Sequence, residues 1–425
     1  MPVPADAIPL FRRTLTLAVF TSCLALNVIG RAQSAAPAQS DLDSMLFIAI
    51  AKGSSEGLTQ AIERGASVNA VNHSGLTPLM EAAQSGSAAL VDALLRVPKI
   101  DVDASDQLGE TALYYAAGAG RFDSLKRLVE AGATINSIDV RRETPLARAV
   151  EREDLEMVTY LLLHGARVDM AAADGATLAM IAASTGDAAI LQLLLDRGAD
   201  PVRPMRNGST PVVAAAFGGH ADAVRVLLTK GADVDAKGED GMTSLMIAAM
   251  NGHVDTVAAL LDADADIDVI DDRGVTALAH AALAGHLDIS TLLMAKGSRA
   301  GFETVLGAAA AGGNAELVEQ MLAEGMGIDA PGSSNFTPLA AAAAAGQLGM
   351  VQLLLNRGAS IDGVGPSGET ALMKAAGAGQ KEIVSELLVR EADQDMLDNN
   401  GRSARGHAAL AGFSDIVSLL NAARK

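Results

Sequence analysis

Apolar and polar positions recur along this chain in blocks of 33 residues. The cleanest block, Thr210 to Met242, reads TPVVAAAFGGHADAVRVLLTKGADVDAKGEDGM. It opens on a Thr, whose hydroxyl can accept from an early helical N–H. Pro211 follows at the first helical position, where a missing N–H costs least. A short apolar run with an Ala pair then ends at Gly219, a residue suited to a left-handed helix end. A second segment carries Val224, Leu227 and Leu228 at helical spacing and stops at Gly231. The tail DVDAKGEDG is polar. The pattern predicts helix, tight loop, helix and exposed finger.

The opening Thr or Ser falls at Ser44, Thr77, Thr111, Thr144, Thr177, Thr210, Thr243, Thr276, Thr304, Thr337, Thr370 and Ser403. These begin copies one to twelve. Nine of the eleven steps are 33 residues, one is 34 and one is 28. In the loop-Gly column only Glu153 departs. Self-similarity at such a period marks a solenoid. The blocks resemble the ankyrin repeat from Ser44 to Lys425. The resemblance implies an all-α solenoid of about twelve helix-turn-helix repeats with short β-hairpin fingers. Around Val97-Pro98 one residue is inserted. Arg142 replaces the finger Gly before Thr144. The finger at Gly297 to Thr304 is five residues short. That last departure predicts a division into 44–303, copies one to eight, and 304–425, copies nine to twelve.

Residues 1–32 have the shape of an export signal. Arg12 and Arg13 precede an apolar core from Leu15 to Ile29, which is short for a membrane span, and Gly30-Arg31-Ala32 offers a cleavage site. An uncleaved anchor and a lipid attached at Cys23 are the alternatives. Gln33 to Asp43 is expected to be a flexible Ala/Ser/Pro/Gln linker. Cys23 is the only cysteine, so the cleaved chain would have none, which permits an oxidising compartment. The signal's shape and the Ala-rich repeats together place the protein in the periplasm, or secreted, of a Gram-negative bacterium.

Formal charge is −19. Residues 1–32 hold three Arg and one Asp, so the cleaved chain carries −21. This argues against nucleic acid and anionic membrane surfaces as partners. Past residue 32 no apolar run is long enough to span a bilayer. His220, His253 and His286 follow the loop Gly in successive copies. Stacked helices lie about 8–10 Å apart, too far for two copies to share a zinc ion with bonds of about 2 Å. In the ankyrin family a His here serves loop hydrogen bonding. Asp262, Asp264, Asp266 and Asp268 alternate like a calcium loop, but Ile267 and Arg273 occupy the places where an EF-hand needs Gly and Glu. No phosphate loop, zincin motif or nucleophile elbow occurs. No enzyme activity, cofactor or metal is expected. A calcium-dependent binding module and an unrecognised hydrolase are the alternatives.

Comparing the copies sorts the columns. Three residues after the opening Thr, every copy has an apolar residue or Gly, so that column is core. The next column is mixed, from Glu81 and Tyr115 to Arg148 and His280, and is expected to be solvent-open. In the ankyrin family it lies on the concave side, where partners bind. Ile181, Phe217, Met242, Ile247, Met250, Val275 and Leu283 are apolar at such free positions between Thr177 and Gly285. They form the candidate partner-binding patch, with Glu143, Arg148, Glu151 and Arg152 as a polar rim. A protein or peptide partner and a monomeric state are expected.

Overall fold

The computed structural model of the protein describes residues 39–298, 302–331 and 336–423. The signal at 1–32 and the short finger at 299–301 lie outside these residues. The described chain holds twenty-four α-helices and forms two compact units. The first, to Thr134, contains the helix pairs of copies one to three. The second, from Ile135, contains those of copies four to twelve. The expected boundary at 303/304 falls inside this second unit. There the helix Phe302–Gly312 packs on Ala277–Ala284 and on Pro338–Ala344.

The first helix of a copy begins where its Thr turns the first backbone donors inward. Thr77 Oγ1 accepts from the Met80 N–H at 3.3 Å, Thr144 from Ala147 at 3.1 Å and Thr337 from Ala340 at 3.2 Å. Pro78, Pro145 and Pro338 follow such caps, and Pro211 follows Thr210. Thr210 departs from the pattern: its Oγ1 is buried and has no hydrogen-bond partner. Ser44 departs too, because the first helix runs from Gln39 to Ala51 and encloses it. Gln39–Asp43 is therefore helix rather than linker. Leu42 is buried there, the Gln39 amide donates to the Gly65 carbonyl, and Asp43 accepts from the Ser67 N–H. These tertiary contacts order a stretch whose composition reads as flexible.

Within the second unit, the first helices pack chiefly on one another. Leu178–Thr185, Pro211–Gly218, Ser244–Asn251 and Ala277–Ala284 form a consecutive row. Small side chains permit the approach: Ala182, Ala183, Ala215, Ala216, Ala248 and Ala249 are fully buried. Leu194, Val224, Leu227 and Leu260 from the second helices close the same core. Each such Leu is worth roughly 1.5–3 kcal/mol when buried. The column three residues after Thr is buried as expected in the inner copies, for example Met80, Met180, Met246 and Met373.

Among the described residues the fingers contain no strand. Antiparallel bridges occur singly, as Ser105 with Thr111, Ala171 with Thr177 and Lys237 with Thr243. The fingers are very short hairpins, most of them closed by one backbone bond such as that from the Asp106 N–H to the Glu110 carbonyl, and many are reinforced by side chains. Asp106 Oδ1 accepts from the N–H groups of Leu108 and Glu110, both at 2.9 Å. Asn72, Asp139, Asp271 and Asp398 do the same two and four residues on. An Asx side chain here replaces most of a strand ladder.

Three left-handed turns per block carry the repeat, and the residues that replace Gly still adopt them. Glu153 takes φ +58° at the loop position; Asp264 and Glu391 take +59° and +67° where other copies have the second Gly. A side chain in this region costs about 1 kcal/mol or more. Glu153→Gly and Glu391→Gly should therefore each stabilise the protein by about 1 kcal/mol, read as a higher melting temperature. A lower melting temperature in either variant would contradict the account.

Candidate interaction surface

Two sets of polar contacts surround the first-helix row. The first links neighbouring copies at the loops. His220 Nε2 lies 3.1 Å from the Ser184 carbonyl, His253 Nε2 3.0 Å from that of Phe217, and His286 Nε2 3.2 Å from that of Met250. Each ring sits against the Gly of the copy before. A Cβ on Gly252 would fall 2.6 Å from His286 Cε1, and one on Gly219 2.7 Å from His253 Nδ1. Gly is thus required here for space as well as for positive φ. Arg121 substitutes for the His in its copy, its Nε donating to the Gln84 carbonyl.

The second set corrects the sequence expectation about the mixed column. Its side chains reach back to the finger that precedes them. The Asn72 amide donates to Glu81, and the Tyr115 hydroxyl donates to Asp106 Oδ2 at 2.9 Å. His280 Nε2 lies 3.0 Å from Asp271 Oδ2, and His407 Nε2 3.0 Å from Asp398 Oδ2. The column is mixed because in four copies its residue matches a polar finger partner, while Lys374, nine residues after Gly365, turns to Glu369 instead. Where the finger residue is Ala172, Met205 or Gly238, the column holds Ile181, Ala214 or Ile247. The signal was present in the sequence as a correlation between two columns nine residues apart.

Burial shapes the protonation of these pairs. Burial, then the Asp106 and Glu110 carboxylates, raise the Tyr115 phenol. Burial also raises Glu81, against the Asn72 hydrogen bond, and raises Glu151, against its ion pair with Arg148. Burial lowers His280, outweighing the neighbouring Asp271 carboxylate.

The candidate patch is then distributed as follows. Ile181, Phe217, Met242, Met250 and Val275 are half-buried. Leu283 is exposed, at 49%. Ile247 is buried, at 8%, and so are Ala214, Ala308 and Ala341 at its position in other copies. Its place among free positions is therefore withdrawn: with Gly238 in the finger, the Ile side chain has no polar partner to reach and packs inward. Phe217, Met250 and Leu283 occupy one position on three successive stacked helices, so the structure does bring this part of the set into line.

The alternating acids Asp262–Asp268 do not converge. Asp264 holds a left-handed turn, Asp266 accepts from Asp268 N–H, and Asp268 accepts from the Ser298 hydroxyl. A cluster not singled out from sequence lies elsewhere: ligand atoms of Glu369, Asp398 and His407 fall within 4.8 Å of one another. Asp398 serves its turn and His407, while Lys374 Nζ stands 3.7 Å from Glu369. Among the described residues no helix is long and apolar enough to cross a membrane.

Helix pairs joined by left-handed loops, stacked through small residues and carrying turn-like fingers, define a repeat-type interaction module. The family model for ankyrin repeats (3 copies) matches residues 46–139, 124–204, 146–238, 212–303, 297–364 and 362–424. The chain belongs to the ankyrin-repeat family. It is similar to the B-cell lymphoma 3 protein homolog of Mus musculus, 35% identical over 112 residues, 25% of this chain and 25% of that protein. It is also similar to the nuclear factor NF-kappa-B p105 subunit of Gallus gallus, 32% identical over 145 residues, 33% of this chain and 15% of that protein. Diacylglycerol kinase zeta of Rattus norvegicus is 36% identical over 91 residues, 21% of this chain and 10% of that enzyme. The chain thus spans a quarter or less of these relatives. The human ASB11 ankyrin repeat domain aligns at TM-score 0.49 and 26% identity, over 53% of this chain and 99% of that one. Ankyrin repeats are protein-interaction scaffolds.

Neutral His280 gives a pH test. Its folded pKa lies below the ordinary 6.5, so the unfolded chain takes up the proton first as pH falls. The associated stability is present above about pH 6.5 and is lost progressively below it. Between pH 7 and pH 5 (roughly spanning that value), His280→Gln should lose less melting temperature than the unaltered chain. Equal losses would show that His280 is not held neutral.

Proposed function

We propose that this protein is an exported ankyrin scaffold, without catalytic activity, that binds a protein or peptide along the concave face formed by its first helices and through its fingers. The observation that carries this reading is the apolar stretch in copies five to eight. There three consecutive fingers carry Ala172, Met205 and Gly238 at the Asx position, and Phe217, Met250 and Leu283 occupy one position on successive helices. Elsewhere the position of Phe217 holds Ala51, Gln84, Gly118, Glu151, Ser184, Ala311, Ala344 or Gly377, and only the terminal copy repeats a large apolar residue, Leu410. Large apolar side chains serve no solubility purpose there, and a contiguous apolar patch is what an interface needs. The deficit of aromatic residues, 3% with no Trp, makes Phe217 the natural anchor. The Gram-negative periplasm is the proposed location, supported by the Arg12-Arg13 flank, the apolar core to Ile29 and a cleaved chain free of Cys.

The test is Phe217→Ser/Met250→Ser, compared with the unaltered chain in a cross-linking pull-down from the periplasm and in thermal melting. Each anchor is worth roughly 1.5–3 kcal/mol when buried on binding, so affinity for the captured partner should fall more than tenfold. Melting should change little, because the Phe217 and Met250 carbonyls that hold His253 and His286 belong to the backbone. A large drop in melting temperature would place both side chains in the core and remove the patch. Export has its own check: N-terminal sequencing of the periplasmic protein should begin near Gln33, and an intact Met1 on a cytosolic species would overturn it.

A further inference from the structure

A basic cleft interrupts this acidic chain. It lies between three successive fingers, those preceding Thr144, Thr177 and Thr210, and encloses about 450 Å³. Arg142, Arg167, Arg203 and Arg206 line it, with Asp169 as the one acidic lining residue. Four positive charges against one negative leave the lining at +3, in a chain of −19. Arg167 is paired with Asp169 at 2.7 Å. Arg142, Arg203 and Arg206 are exposed and take part in no ion pair among the described residues. The nearby Asp174 carboxylate accepts from Ala176 N–H within its own turn.

Each of the four arginines breaks its own column. Where Arg167 stands, five other copies have Asp (Asp101, Asp200, Asp233, Asp266 and Asp393), three have Ser or Thr, one has Gly327 and one has Arg299; against the five the charge is reversed. Where Arg203 stands, they have Ala70, Ala104, Ala236 or similar small and apolar residues. Arg206 replaces residues such as Gln107, Ala173 and Glu239, and no other copy has Lys or Arg there. Arg142 replaces a Gly and keeps its left-handed backbone at φ +64°. A side chain held in that region stores strain, and strain retained against the repeat is a mark of function. Four independent departures toward the same charge, meeting in one cleft, do not arise from the needs of stacking.

The cleft is also rigid. Ala173 N–H donates to the Arg141 carbonyl at 2.7 Å, and Arg206 N–H to that of Asp174 at 3.2 Å, tying the three fingers to one another. We propose that this cleft binds a small organic phosphate through its phosphoryl group or groups. The guanidinium fork matches phosphate oxygens bidentately. A lining of +3 calls for a compact ligand of two or more negative charges, and a phosphate monoester carries about −1.5 to −2 at neutral pH. The volume falls within the roughly 300–1,000 Å³ of small-molecule pockets and exceeds what an inorganic ion needs. Met170, Pro204 and Met205 supply apolar wall for the carbon portion. This site is in the fingers and does not depend on the apolar first-helix patch.

The test is titration calorimetry of the full chain with sodium pyrophosphate as probe at low ionic strength, with citrate as the non-phosphoryl polyanion. Pyrophosphate should bind one to one and more tightly than citrate. Arg203→Ala/Arg206→Ala should weaken it at least tenfold, roughly the loss of one charged hydrogen bond. Arg225→Ala, which removes an exposed arginine paired with Asp222 outside the cleft, should leave binding unchanged. Arg142→Gly should weaken binding while raising the melting temperature, because it removes a ligand contact and a strained residue together. Absence of binding by the unaltered chain, equal affinity in the double variant, or citrate binding as tightly as pyrophosphate would each overturn the proposal.

Discussion

The structure depends on one constraint: a pair of short helices cannot bury its own apolar faces and must borrow a surface from the next pair. Everything regular in the chain serves that loan. The Ala pairs let first helices approach, the loop Gly admits the His or Arg of the following copy, and Thr caps return each chain to the same starting point. Because the apolar contacts are between neighbours only, stability is close to a sum of local terms. A departure in one block can then be tolerated without loss of the others, which is how Glu153 and Arg142 persist in positions that favour Gly.

Tolerance of local departures is also how such an array acquires function. Copies five to seven have lost the finger Asx residue and, with it, the polar partner in the first helix. The result is an apolar stretch flanked by the His280–Asp271 pair. Three fingers before and within that stretch gain arginines against the acidic trend of the chain. Neither feature disturbs the core, since both lie in columns that stacking leaves free. Backbone hydrogen bonds from Ala173 to Arg141 and from Arg206 to Asp174 tie together the fingers that carry the arginines.

The family relationship has a plain limit. The relatives share the repeat and little else, over a quarter or less of their lengths. Similarity among them reports the requirements of stacking, which are the same in every ankyrin repeat. What distinguishes this chain is therefore found by comparing its own copies with each other.

The sequence by itself determined the period, the helix pairs, the left-handed turns and the core column, because these follow from local propensity and from apolar spacing repeated twelve times. It also held the correlation between Asp271 and His280, or Gly238 and Ile247, though its meaning needs distance. Tertiary structure decided the rest. It showed that the mixed column pairs with fingers instead of facing solvent, that Ile247 is buried, and that Gln39–Asp43 extends the first helix. It also gathered Arg142, Arg167, Arg203 and Arg206 into one cleft. Local pattern specifies what a residue would do alone; burial and pairing depend on which neighbour the fold brings within 3 Å or so of it.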